Sequence, residues 1–182
     1  MAVSLSSLFS NQKSINFHQA QRCIINNDEE ELVKFLQTNP SLLDELVGGT
    51  GLLHFAITRK RPDMAKLLLR HGANPYICTT CALRALPLQL VVKRVDLTDL
   101  LRFMVEEIGI DMDAQNSRGQ TALHTAMEYQ RWENAEYLIN HRANYSLRNN
   151  SGLTPLEILE DPHRQSYFID FIYHYVWSRK NP

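Results

Sequence analysis

Gly119-Gln120-Thr121-Ala122-Leu123-His124-Thr125-Ala126 decides the fold, because versions of this stretch recur along the chain. From His124 the aligned position steps back 35 residues to Gln89, in Leu86-Pro87-Leu88-Gln89, and 35 more to His54, in Gly49-Thr50-Gly51-Leu52-Leu53-His54. It steps forward 33 residues to Glu157, in Gly152-Leu153-Thr154-Pro155-Leu156-Glu157. An earlier, degenerate unit shows in Leu32-Val33-Lys34-Phe35-Leu36, which matches Met64-Ala65-Lys66-Leu67-Leu68 32 residues later and puts Arg22 at the aligned position. A period of roughly 20 to 50 residues predicts stacked supersecondary units, each burying its apolar face against its neighbours.

These residues resemble the ankyrin pattern, in which a glycine turn is followed by Thr-Pro-Leu-His and a helix. Gly109-Ile110-Asp111-Met112-Asp113-Ala114 is likewise similar to the family's Gly-Ala-Asp-Val-Asn-Ala. The resemblance implies an all-α ankyrin repeat solenoid of about five helix-turn-helix repeats with hairpin tips and a C-terminal capping helix. The repeats are expected at about 17–48, 49–83, 84–117, 118–150 and 151–178 of one domain, 17–182, after a loose Ser- and Asn-rich arm, 1–16.

Local signals fill in the units. Asn27 to Glu31 supplies a helix cap and first-turn acids. The second repeat predicts helices over about 52–58 and 62–70, with Pro62 at a first helical position. Gly72 stands where that second helix must stop in a left-handed conformation. In the third repeat Cys78-Thr79-Thr80-Cys81 falls on an elongated hairpin tip, and the second helix, about 97–107, ends late. Thr121 is the expected N-cap of the fourth repeat, Gly119 its turn glycine, and Ala126 is small enough for close packing. Arg142 occupies the place of Gly72 and Gly109, which predicts a distorted turn there. Thr154 and Glu157 form a capping box around Pro155. A last helix, about 164–178, carries an apolar face of Phe168, Ile169, Phe171, Ile172, Tyr175 and Val176. Trp132 is expected to pack between repeats, and Trp177 either to cap the fifth repeat or to join an exposed aromatic patch.

With 44% hydrophobic and 21% charged residues in 182, the chain is of ordinary globular composition. Its net charge of −1 gives no global attraction to nucleic acid or anionic membrane. No apolar run approaches the roughly 20 residues that span a bilayer, and residues 1–10 lack the basic start of a secretory signal. Three cysteines argue against a disulfide-stapled scaffold. A cytoplasmic monomer follows as the expectation. The irregular repeats are similar in style to ankyrin effectors that intracellular bacteria deliver into a host cytosol, which implies an alternative role in inhibiting or redirecting a host enzyme.

No enzyme motif appears, and neither a cofactor nor a small-molecule substrate is expected. Cys78 and Cys81 supply two zinc ligands where a closed site needs four, with His71 nearest in sequence, so a zinc- or redox-responsive adaptor is the lesser alternative. His54 and His124 stand where the family's imidazole hydrogen-bonds neighbouring backbone. Gln89 and Glu157 at the same position fit a polar tether and not a catalytic base.

Binding is expected along the concave side that the family forms from hairpin tips and first helices. The exposed helix ends fall four and five positions after the aligned polar residue: Asn26 and Asn27, Thr58 and Arg59, Lys93 and Arg94, Glu128 and Tyr129. Lys60, Arg61, Gln130 and Arg131 follow, and Arg118 lies on a tip. The candidate partner-binding set is Arg59, Arg61, Lys93, Arg94, Arg118, Glu128, Tyr129 and Arg131, a basic stripe with one aromatic anchor suited to an acidic protein surface.

Overall fold

The computed structural model describes residues 5–80, 84–159, 166, 169 and 170. Among these the regular elements are all helical. They are α1 (Leu5–Asn26), α2 (Glu29–Thr38), α3 (Leu52–Thr58), α4 (Pro62–Arg70), α5 (Pro87–Val92), α6 (Thr98–Arg102), α7 (Ala122–Glu128) and α8 (Trp132–Asn140). The chain divides into two compact units, Met1–Leu90 and Val91–Pro182, and the division falls inside α5.

In the first unit α1 packs on α2 and α3, and α3 on α4. Residues 5–16 are not the loose arm expected but the opening turns of α1. Neither glycine nor proline precedes Pro40, so nothing stops a helix from running back beyond Phe17. Phe17, Ala20 and Ile24 bury one stripe of it. Asn16 donates to the Asn39 side chain at 2.8 Å, and Lys13 pairs with Glu45 at 3.2 Å. Asp28 caps α2 by accepting the Glu31 N–H at 3.0 Å, with Glu29, Glu30 and Glu31 in the first turn.

Helices α3 and α4 occupy the expected spans, and α7 and α8 repeat them 70 residues later, two periods on. Each pair buries the same register of side chains: Leu52, Leu53, Ala56, Ile57, Met64, Ala65, Leu68 and Leu69 in the first unit, and Ala122, Leu123, Ala126, Met127, Ala135, Leu138 and Ile139 in the second. At about 25 cal/mol per Å² of apolar surface buried, these faces dominate the stability of each hairpin of helices.

The irregular third repeat ends its second helix late because α6 widens into a π-helical turn, Phe103–Glu107, where the Ile108 N–H reaches back to the Phe103 carbonyl at 3.1 Å. Gly109 then takes φ +68° and ends the segment.

Arg142 corrects the expectation of a distorted turn. It holds φ +75°, and its N–H bonds Ile139 O at 3.0 Å while Ala143 N–H bonds Leu138 O at 3.0 Å. Gly72, at φ +89°, and Ala73 make the same pair of bonds to Leu69 and Leu68. The closing bonds impose the left-handed turn on an arginine, against its steric preference. Arg142→Gly should therefore raise the unfolding free energy by about 1 kcal/mol, read from urea midpoints; an unchanged or lowered midpoint would show that the turn carries no strain.

In the fifth repeat the capping box forms, with Thr154 N–H bonding Glu157 Oε2 at 2.8 Å and Glu157 N–H bonding Thr154 Oγ1 at 3.4 Å. Only one helical turn follows before residue 159, closed by Ile158 on Thr154 and Leu159 on Leu156. Of the expected helix 164–178, the described residues Ser166, Ile169 and Asp170 are helical and exposed. Trp177 and the remainder of its apolar face lie outside the described residues.

Candidate functional site

The repeat position of His124 is a tether, and three of its five side chains, those of Gln89, His124 and Glu157, do the same work. His124 Nδ1 accepts the Thr121 N–H at 3.2 Å, Gln89 Oε1 accepts the Leu86 N–H at 3.0 Å, and Glu157 Oε2 accepts the Thr154 N–H at 2.8 Å. Each satisfies a donor left over at a helix N-terminus. With Nδ1 accepting, the proton of the neutral ring sits on Nε2, which donates to Leu153 O at 3.0 Å and links two repeats. Burial holds the His124 pKa below the ordinary histidine value, with the Leu153 carbonyl pulling the other way. At exposed Glu157 the Thr154 backbone bond, the Thr154 hydroxyl and Arg148, 2.9 Å away, lower the carboxyl pKa.

His54 departs from the expected tether. It is 1% exposed, yet among the described residues neither ring nitrogen makes a hydrogen bond of ordinary geometry. Gly51 stands where Thr121 precedes His124, so no hydroxyl reaches Nδ1. The Leu153 carbonyl lies 29 residues beyond His124; the same step from His54 falls at Leu83, outside the described residues. The hairpin there is longer, closing between Thr79 and Ala85 at 3.1 Å, whereas the fourth repeat closes between Asn116 and Gln120 at 3.0 Å. Burial lowers the His54 pKa, with backbone at Ile77 and Ala85 offsetting part of the effect.

Gly119 seals a junction between hairpins of the second unit. It is buried at φ +71°, and a methyl group built on it would sit 2.7 Å from Asn150 N. The close approach lets Asn150 N–H bond Arg118 O at 3.0 Å and Asn150 Nδ2 bond Ser117 O at 3.0 Å. Gln115 Nε2 donates to both Gly119 O at 2.7 Å and Arg148 O at 3.0 Å.

The candidate partner-binding residues divide by the same test of what each side chain touches. In the first unit Arg59 is exposed, its guanidinium 5.1 Å from the Phe55 ring centroid, whereas half-buried Arg61 donates to Ile25 O at 2.8 Å. In the second unit Arg131 Nε donates to Lys93 O at 2.7 Å. Arg61 and Arg131 are thus tethers to the preceding repeat as well as charges. Lys93 lays its ammonium 4.3 Å from the Tyr129 ring centroid, and Tyr129 is 42% exposed. Arg94 pairs with Asp96 at 3.4 Å, Glu128 accepts from Gln120 Nε2 at 3.2 Å, and Arg118 is exposed. The residue missed in the sequence is Val95, 63% exposed beside this cluster. Its signal was a valine at the turn position that Lys60 and Gln130 fill with polar side chains.

Cys78 is half-buried and free, and Cys81 lies outside the described residues. Among the described residues no three His, Cys, Asp or Glu side chains gather as a metal site would need. Cys23 is buried, and burial, Glu31 and Asp28 together push its thiol pKa up, which keeps it protonated and a poor nucleophile at neutral pH. No helix of the described residues is long and apolar enough to cross a membrane.

Helix-turn-helix repeats tied by backbone-capping side chains and tight hairpins define a repeat protein of the interaction type. The chain carries ankyrin repeats. The family description "Ankyrin repeats (many copies)" matches residues 104–159, and "Ankyrin repeat" matches residues 49–80. A protein of Fowlpox virus (strain NVSL), described as an ankyrin repeat protein, is 29% identical over 102 residues. That match covers 54% of this chain and 22% of the viral protein, so the chain spans well under half the length of this relative.

Proposed function

We propose that this chain binds a partner protein through the ends of its first helices, and that the partner presents an acidic surface. Ankyrin repeats indicate a protein–protein interaction module, generally non-enzymatic. What supports the finer reading is one cluster: Lys93 and Arg94 on a turn beside an exposed tyrosine whose ring the Lys93 ammonium covers. Exposed Arg59 repeats the charge in the other unit. Long-range steering by such cations raises association rates, and Tyr and Arg are over-represented among residues that dominate binding energy. Inhibition or recruitment of a partner enzyme would be forms of the same binding, told apart by assaying that enzyme on mixing.

The test is affinity capture from a cell lysate with the wild type beside Arg59→Glu, Lys93→Glu, Arg94→Glu combined. These side chains make little of the core, so the thermal midpoint should stay nearly constant while capture falls by about tenfold or more. Undiminished capture by a folded triple variant would remove these cations from the reading. Arg61→Ala and Arg131→Ala should behave differently, each lowering stability by about 1 to 2 kcal/mol by leaving a carbonyl without its charged donor; midpoints unchanged in both would show that those bonds contribute nothing.

A further inference from the structure

The turn that carries Lys93 and Arg94 is held more firmly than its exposure requires. Three successive carbonyls are anchored from α8 and the residue before it: Val92 O accepts Asn134 Nδ2 at 2.9 Å, Lys93 O accepts Arg131 Nε at 2.7 Å, and Arg94 O accepts the same Asn134 amide at 3.3 Å. Asn134 is itself 2% exposed, so the clamp is a buried feature supporting a surface. Arg94 leaves it in an extended conformation, φ −125° and ψ 128°, and Val95–Leu97 follows as a short 3-10 turn.

The corresponding turn positions, Lys60 and Gln130, are left-handed at φ +57° and +54°. A β-branched residue takes that conformation only with severe strain. With Val95 in the same register the turn is rebuilt, and the valine ends 63% exposed. An exposed valine, a tyrosine with one face covered by an ammonium, and the Lys93, Arg94 and Arg131 cations thus share a pre-formed patch of the second unit. The carboxylates nearest in sequence to Arg94 and Tyr129, Asp96 and Glu128, are engaged by Arg94 and Gln120, and exposed Glu133 stands two residues beyond Arg131.

We infer that this patch recognises an extended peptide segment in which one aliphatic side chain is flanked by carboxylates. The aliphatic group would lie on Val95 and the open part of the Tyr129 ring, and the carboxylates would meet Lys93, Arg94 and the remaining guanidinium nitrogens of Arg131. Because the carbonyl clamp has already fixed the turn, binding forfeits little conformational freedom on this side. The apolar centre with a charged rim follows the anatomy of interaction surfaces. This inference rests on the protein-binding reading and narrows it to a class of partner sequence.

The experiment uses a fluorescein-labelled peptide, Gly-Glu-Asp-Glu-Leu-Glu-Asp-Glu-Gly, titrated with the full chain and read by anisotropy. The wild type binds it, binding weakens with added salt, and replacing the central leucine by serine weakens it by about tenfold. Val95→Asp and Tyr129→Ala each cost about tenfold in affinity, and Val95→Leu restores it, with circular dichroism confirming the fold of each variant. No binding by the wild type, equal binding of the serine peptide, or full binding by Val95→Asp would overturn the inference. Competition by an oligo-dT strand at equal charge would overturn it in favour of phosphate recognition. If Val95→Asp captures a lysate protein as the wild type does while the peptide fails, the binding module stands and this surface falls.

Discussion

Gly119→Ala lowers the unfolding free energy of the chain by about 3 to 4 kcal/mol, while Gly152→Ala lowers it by about 1 kcal/mol. The two glycines have nearly the same backbone, φ +71° and φ +77°, so the conformational cost of a side chain is shared. Their surroundings differ. Nothing lies within 4 Å of a methyl group on Gly152, whereas one on Gly119 meets the Asn150 side chain and backbone, with Asn150 N at 2.7 Å. Backbone cannot rotate aside as a flexible side chain can. The hairpins must part, and the bonds from Asn150 to Arg118 O and Ser117 O, with the Gln115 bridge, are stretched or lost at about 1 kcal/mol each. Urea unfolding of both variants separates the contributions. Equal losses would show that the junction can relax and that Gly119 serves the turn alone.

That glycine was legible in the sequence as a turn residue, but its second role was not. The repeat period placed α3, α4, α7 and α8, because each is bounded by a turn and carries apolar residues at helical spacing. It said nothing about which surface approaches the next hairpin, since close contact depends on a residue 31 positions away, Asn150. The opening of α1 was missed for a related reason: a Ser- and Asn-rich stretch has weak helical preference by itself, and tertiary contacts at Lys13, Asn16 and Phe17 override it. Arg142 erred in the opposite direction. Its steric preference was read correctly, and the two closing hydrogen bonds outweigh it. For the candidate surface, register alone named Lys93, Arg94 and Tyr129. It could not separate Arg59, which is exposed, from Arg61 and Arg131, which reach back to carbonyls of the preceding repeat.

His54→Leu and His124→Leu move stability in opposite directions, although the two histidines occupy one repeat position. His124→Leu removes an acceptor from Thr121 N–H and a donor from Leu153 O, both held in bonds near 3 Å, and should cost about 2 to 4 kcal/mol. His54 holds two buried nitrogens that make no hydrogen bond of ordinary geometry among the described residues, with only the weaker influence of backbone at Ile77 and Ala85, so leucine of similar bulk should raise stability by about 1 kcal/mol. The pH dependence gives an independent sign. Both folded-state pKa values lie below the ordinary 6.5. As pH falls below about 6.5 the unfolded chain takes up protons that the folded chain refuses, and stability declines until the folded values are reached, by at most about 1.4 kcal/mol per pH unit for each histidine. Above that window the full contribution is present. His54→Leu should therefore be more stable than wild type at pH 7.5 and gain further on it between pH 6.5 and 5, as urea midpoints at several pH values will show. A His54→Leu variant less stable than wild type at pH 7.5 would mean that its imidazole is partnered after all, and a gap that does not widen in acid would mean that its protonation is not coupled to folding.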